Sequence, residues 1–391
     1  MSGTAPTAAQ RLAAVQSPVI PVMGALIAQT PGTLSLGQGM VGWGPPDTVI
    51  SAALQALQSD PQIHRYGPVE GLPPLRAAIA NHLHHQHRLD LEASAVLVTA
   101  GSNMAFNAVV QVLCDPGDEV ILPVPYYFNH AMAIRLAGGV PVAVEAGVIP
   151  DPERLAAAIT PRSRAIVTVS PNNPSGAVFP REVLKAINQL CAERGLLHIS
   201  DEAYALFSYG TAEHWSPGST PGSGAHTVTL GSLSKSHGMA GWRLGYAAAP
   251  RTLMAELAKV QDTILICAPQ LSQHAGLAAL EAGNGWCLER IATLAERRTQ
   301  VLHALEQPEA PWRLMAPPEG AFYALLNVST PLSSDGAMER LIREHRVALV
   351  SGSSFGLRGC CLRLSYGMLD EAQLQEALDR LTQGLLAMAQ A

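Results

Sequence analysis

No dense run of lysine or arginine occurs anywhere in this sequence, and charged residues fill only 14% of its 391 positions. The formal charge is −6 and the pI is near 6.1, so the electrostatic footprint of a nucleic-acid or anionic-membrane binder is missing. No apolar stretch approaches the roughly 20 residues that cross a bilayer. The segment Met1 to Val19 carries no signal-like apolar core. Six cysteines (Cys114, Cys191, Cys267, Cys287, Cys360, Cys361) are scattered, and the one adjacent pair has neither metal-ligand nor CxxC spacing. These absences predict reduced thiols, no metal site, no nucleic-acid or membrane partner, and a cytoplasmic protein. No internal repeat or low-complexity tract appears. What is present is a hydrophobic fraction of 48%, the composition of a well-buried globular enzyme with room for more than one domain.

From about residue 95, short β-branched runs alternate with longer amphipathic stretches. The runs are Ala95–Thr99, Glu119–Leu122, Val140–Val144, Ala165–Val169, Leu196–Ile199 and Thr227–Leu230. Continuous apolar strands separated by helical segments predict a mostly parallel sheet covered on both faces. Leu72, Leu75, Ile79 and Leu83 recur at helical spacing behind Pro73-Pro74, and Leu374, Leu378, Leu381 and Leu385 form a second stripe with Asp370 and Gln373 as its N-cap pair. These stripes are core, not function. Pro217–Gly224 and Gln307–Pro318 read as turn clusters. The expected division is a large domain over 46–289, with residues 1–45 and 290–391 forming a smaller unit.

Ligands of open parallel sheets bind beyond the carboxyl ends of the strands, and polar residues collect there. Thr99 leads into Gly101-Ser102-Asn103, whose amides can cradle a phosphate, although such a turn is usually only a turn. Val169 leads into Pro171-Asn172-Asn173-Pro174-Ser175-Gly176, where an asparagine more often caps the backbone than binds a ligand. Ile199 leads into Asp201-Glu202-Ala203-Tyr204, where Asp201 either holds a protonated ring nitrogen or caps a following helix. Leu230 leads into Ser232-Leu233-Ser234-Lys235, with Arg243 eight residues on. A lysine becomes a nucleophile toward an aldehyde when it is desolvated or set beside other cations. Hydroxyls with a guanidinium make an anion site. Aldehyde and phosphate together point to pyridoxal 5'-phosphate. Four loops at one sheet edge, each suited to part of one cofactor, outweigh the bland reading of each alone.

These residues resemble a fold-type I, pyridoxal-phosphate-dependent aminotransferase of the class I/II family. The likeness runs from Ser35-Leu-Gly-Gln-Gly39 to Arg363-Leu-Ser-Tyr366. It implies an α/β, aspartate aminotransferase-like fold: a large domain with a mostly parallel central sheet flanked by helices, plus a smaller α+β domain from the two chain ends. It implies that Lys235 bonds the cofactor and shuttles a proton, and that Asp201 pairs with the pyridine nitrogen. Asn173 and Tyr204 would bond the phenolic oxygen, and Tyr127 would stack on the ring. Gly101, Ser102, Asn103, Ser232 and Arg243 would hold the phosphate, joined by Tyr66 from the other subunit of a homodimer. Arg363, Gly39 and Asn173 would grip the substrate carboxylate. The substrates would be an amino acid and a 2-oxo acid. Ser175 stands where the family usually has threonine. Met40-Val41-Gly42-Trp43 replaces a frequent Pro-Asp/Asn-Phe strip.

The motifs also fit lyases or cyclases acting at Cβ or Cγ. A non-catalytic sensor fused to a DNA-binding domain is disfavoured, because residues 1–45 lack a basic helix-turn-helix pattern. Substrate charge is the finer expectation. Residues 261–288 contain no Arg or Lys, so a distal carboxylate lacks an evident partner there, and burying one unpaired costs several kcal/mol. Trp43, Tyr127, Phe128 and Tyr323 are candidates for an apolar lining, which predicts neutral, aromatic or sulfur-containing donors.

Overall fold

The computed structural model describes residues 7–89 and 91–389; the ends of the expected terminal segments, 1–6 and 390–391, lie outside them. After the short strand β1 (Leu34–Ser35), seven strands build the main sheet: β2 (Ser94–Thr99), β3 (Glu119–Pro123), β4 (Val140–Val144), β5 (Ser163–Val169), β6 (Leu197–Asp201), β7 (Thr227–Ser232) and β8 (Gly245–Pro250). Their order across the sheet is β2-β8-β7-β6-β5-β3-β4. Neighbours from β4 to β7 pair in parallel, whereas β8 runs antiparallel to both β2 and β7. The six expected strands are all there. The seventh, β8, reads Gly-Tyr-Ala-Ala-Ala-Pro and has no β-branched residue to announce it.

Strand periodicity explains the two covered faces. Leu97 packs with Phe106, Val109 and Ile134 on one side. Its neighbours Val96 and Val98 pack with Leu75, Ile79 and Leu83 on the other. In β8, Ala247 and Ala249 join the first cluster, and Tyr246 and Ala248 the second. The helix Pro73–His87 begins on its two prolines, with Leu72 as the cap and not part of the first turn. The C-terminal stripe falls on a helix, Glu371–Ala389, and its Leu374, Leu378, Leu381 and Leu385 are buried. The Gln373 amide donates to Asp370 Oδ1 at 2.8 Å, the expected cap.

The smaller sheet comes from the last quarter of the chain. Strands β9 (Trp312–Leu314) and β10 (Tyr323–Val328) are followed by β11 (Val347–Ala348), β12 (Val350–Ser351) and β13 (Cys361–Ser365). The order β12-β13-β10-β9 is antiparallel throughout, and β11 pairs in parallel with β1. Met23, Leu36, Leu294, Leu326, Ile342, Leu362 and Leu378 share one core cluster, so both chain ends are packed together. β9 corrects the expectation of turns throughout 307–318, because three residues are too few to show a period. The turns of 217–224 are 3-10 segments at Pro217–Ser219 and Ser223–Ala225.

The reversed direction of β8 shapes one edge of the main sheet. β2, β5, β6 and β7 end at that edge, and the antiparallel β8 begins there. Gly245 is therefore opposite both Thr99 and Ser232. A Cβ on Gly245 would lie 2.6 Å from the Ser102 amide nitrogen, so glycine lets two loops close over the strand end.

Candidate active site

A cavity of about 220 Å³ opens at that edge. Ser102, Asn103, Tyr127, Asn173, Asp201, Tyr204, Ser232, Lys235, Arg243 and Arg363 all line it, with Gly39 from the stretch after β1. Gly101 sits beside it at φ 86°, where a Cβ would come within 2.6 Å of an Arg243 guanidinium nitrogen. It is the N-cap of the helix Ser102–Leu113, so the first free amides of that helix lie at the cavity. Arg243 donates to the Ala240 and Ala100 carbonyls at 3.1 and 3.3 Å. Ser232 Oγ donates to Ser234 Oγ at 2.9 Å and accepts the Ser234 amide at 3.1 Å.

Lys235 Nζ donates to the Gly39 carbonyl. Burial, with the charges of Arg363 and Arg243, pulls its ammonium down to about 8. The chain has only three lysines, Lys185, Lys235 and Lys259, and Lys235 alone of them lines the cavity. Asp201 ends β6; Oδ1 accepts the Ala203 amide at 3.2 Å and Oδ2 lies 3.1 Å from His130 Nε2. The chain turns after Asp201 instead of entering a helix, which removes the helix-cap alternative.

The two asparagines divide their work. Asn172 caps the turn, accepting from the Ser175 amide and hydroxyl at 3.0 and 2.7 Å. Asn173 Oδ1 accepts from Arg363 Nη1 at 2.9 Å. Arg363 is 2% exposed, and its Nη2 donates to the Gly37 carbonyl at 2.6 Å. Its guanidinium also stacks over the Tyr323 ring at 4.5 Å. The hydroxyls of Tyr204 and Tyr323 lie 2.7 Å apart. Burial and then Tyr323 push the Tyr204 phenol well up. Burial also raises Tyr127, against a hydrogen bond from Asn103 that lowers it.

The sequence model of the family described as aminotransferase class I and II matches residues 32–381. Over 387 residues the chain is 37% identical to the aromatic aminotransferase ISS1 of Arabidopsis thaliana, covering 96% of this chain and 95% of that one. It is 38% identical over 356 residues to the aspartate/prephenate aminotransferase of Thermus thermophilus, covering 89% of each. The solved structure of Thermus thermophilus aspartate aminotransferase with maleate superposes with a TM-score of 0.88 at 34% identity, covering 97% of this chain and 100% of that one. This chain belongs to the aminotransferase class I and II family. It is a fold-type I aminotransferase acting on amino acids.

Some residues of the aminotransferase site escaped the sequence reading. His130 is buried, stacks on Phe106 with ring centroids 4.1 Å apart, and supports Asp201. Its one signal is the spacing of three from Tyr127, which puts both at one helix face. Tyr323 was singled out as apolar lining, but its hydroxyl is a polar partner of Tyr204. Ile20 lines the cavity without any motif to mark it, whereas Gln38, Met40 and Ser234, which also line it, stand in stretches that the sequence had marked. Phe128 lines it as expected. Trp43 is not among the lining residues, and its indole nitrogen donates to the Ser236 carbonyl at 3.4 Å. Tyr66 also lies away from the cavity, 79% exposed, beside Leu265, Cys267 and Gln270. No helix among the described residues is long and apolar enough to cross a membrane.

Proposed function

We propose that this aminotransferase works with pyridoxal 5'-phosphate at the cavity and prefers amino donors with neutral, aromatic or sulfur-containing side chains. The residues fit the cofactor's parts. Ser102, Asn103, Ser232, Arg243 and the helix amides beside Gly101 suit its phosphate. Asp201, braced by His130, suits its pyridine nitrogen. Asn173 and Tyr204 suit its phenolic oxygen, and Tyr127 its ring face. Bound there, the group supplies an aldehyde that takes the amino group and a ring that acts as an electron sink.

The chain's own residues do the rest. Lys235, with its pKa drawn to about 8, would take up and return the proton at the substrate Cα near neutral pH. Arg363 orients the α-carboxylate with Asn173 and the Gly39 backbone. Its Nε is buried without a partner, which leaves donor capacity for an anion.

The observation that carries the donor preference is the cation inventory. Among the described residues, Lys235, Arg243 and Arg363 are the lysine and arginine side chains of the cavity wall, and each has a task already. A distal carboxylate would find no fourth there. The test is kcat/KM for phenylalanine, methionine, glutamine, aspartate and glutamate as donors. The neutral and aromatic donors should lead; aspartate as best donor by tenfold, about 1.4 kcal/mol, overturns the preference.

We further propose a cytoplasmic homodimer in which Tyr66 reaches the neighbour's phosphate site. Its exposure and its separation from its own cavity support that arrangement. The division into 46–289 and a smaller unit of 1–45 with 290–391 is proposed likewise. The shared core of both chain ends supports it, with the helix Gly285–Leu305 spanning the junction.

A further inference from the structure

Behind the cofactor edge lies a group of side chains that the amino-transfer chemistry does not use. His87 ends the helix Pro73–His87, Glu202 follows β6, and His214 lies in the loop beyond. One donor atom from each lies within 4.8 Å of the other two. Glu202 is 5% exposed. Its Oε1 accepts the Ser200 and Ser216 hydroxyls at 2.9 and 2.7 Å, while Oε2 meets His214 Nε2 at 3.0 Å. The His214 side chain is 5% exposed, and its Nδ1 is buried with no partner. Its ring packs edge-on against His87, centroids 5.3 Å apart at 82°.

We propose that His87, Glu202 and His214 form a binding site for one divalent transition metal of the zinc class. Two imidazoles and one carboxylate are the donor set that such ions take, whereas calcium and magnesium demand oxygen. Bonds of zinc length put tetrahedral donors about 3.3 Å apart. The Glu202–His214 pair is already that close, and His87, within 4.8 Å of both, needs to draw in by no more than about 1.5 Å. Two serine hydroxyls fix Oε1 and leave Oε2, now facing His214 Nε2, as the oxygen that would meet the ion. A cavity of about 30 Å³ touching His87 and Glu202 has room for a water as fourth ligand. Sequence spacing hides the site, because His87 is more than a hundred residues from Glu202 and His214.

The ion would act as a clamp. Glu202 is the neighbour of Asp201, and Ser232 lines both this small cavity and the large one. Metal there ties a helix end and a loop to the strand end that carries the acid.

The test uses the cofactor-loaded protein, stripped with a chelator and given one equivalent of Co²⁺ or Zn²⁺. The expected result is about one equivalent retained through gel filtration, with the visible bands of four-coordinate Co²⁺ and a higher melting temperature with Zn²⁺. His87→Gln and His214→Gln should each weaken binding at least ~10-fold and abolish the thermal shift. His85→Gln, exposed on the same helix, should change neither. Absence of retained metal overturns the site and leaves Glu202–His214 as a plain hydrogen-bonded pair. Unchanged binding in both histidine variants, or loss of the metal on removing the cofactor alone, overturns it equally.

Discussion

Asp201 and Glu202 are consecutive carboxylates, equally buried at 5% exposure, each within 3.1 Å of a histidine nitrogen. Side chains alternate at a strand end, so the two point to opposite sides of the sheet edge. Asp201 lines the open cavity. Glu202 faces inward, where Ser200, Ser216 and His214 occupy its oxygens. The same functional group faces the open cavity on one side and is held by neighbouring side chains on the other. Access to a reacting atom, not residue type or burial, separates the two.

That contrast can be broken experimentally. The largest effect is expected from Lys235→Ala, which removes nucleophile and proton carrier together from the open side. kcat/KM should fall by about 10⁴-fold or more. The borohydride-reducible link should vanish while cofactor still binds through Arg243 and the phosphate loop. Retained turnover would end this reading of the cavity.

Asp201→Asn comes next. It keeps the shape but removes the charge proposed to pair with the ring nitrogen, so kcat should drop ~10²-fold or more with little change in KM. Glu202→Gln is the mirror experiment. It should cost about 1.5–3 kcal/mol of stability in denaturant melts and lower kcat far less than Asp201→Asn does. Equal kinetic losses in the two variants would erase the distinction.

Lys235 also carries a pH signature in the protein freed of cofactor. Its native pKa of about 8 lies below the ordinary lysine value of 10.5. Between those values the unfolded chain binds the proton and the native chain does not, so stability rises with pH across that window. Below about 8 the buried ammonium costs roughly 2–3 kcal/mol, a little under the full shift because the cavity mouth admits water. Lys235→Met should remove the rise and stabilise the apoprotein at pH 7; parallel curves for the two proteins would refute the assignment.

The smallest effect concerns assembly. Tyr66→Ala should weaken cofactor affinity about tenfold if the proposed contact with the neighbour's phosphate is made. Mixed dimers of Tyr66→Ala with Lys235→Ala should recover activity in one of their two sites. No recovery in confirmed heterodimers would assign Tyr66 to its own chain.

Much of this was legible in the sequence, for identifiable reasons. Strands buried on both faces announce themselves as β-branched runs, and the runs at Val140–Val144 and Glu119–Leu122 match β4 and β3 almost residue for residue. Motif residues around Lys235 and Asp201 were legible because each loop follows such a strand. The small sheet was not, since β9 and β12 are too short for a period. β8 was hidden by its alanines. His130 and the polar pairing of Tyr323 were hidden because their partners, Asp201 and Tyr204, are 71 and 119 residues away, and spacing says nothing about contacts at that range.

The late strand β8 has a consequence for how the cavity comes into being. It enters the sheet between β2 and β7, and Arg243 meets the Ala100 carbonyl across 143 residues of chain. A ribosome that has made residues 1–240 has therefore produced most of the main sheet's strands but no closed anion cradle. Contacts of such range form late, after the local helices and strand pairs. Cofactor capture by a growing chain would thus report that the last strand has slid home, and a chain halted before Gly245 should pass through the cell unable to retain it.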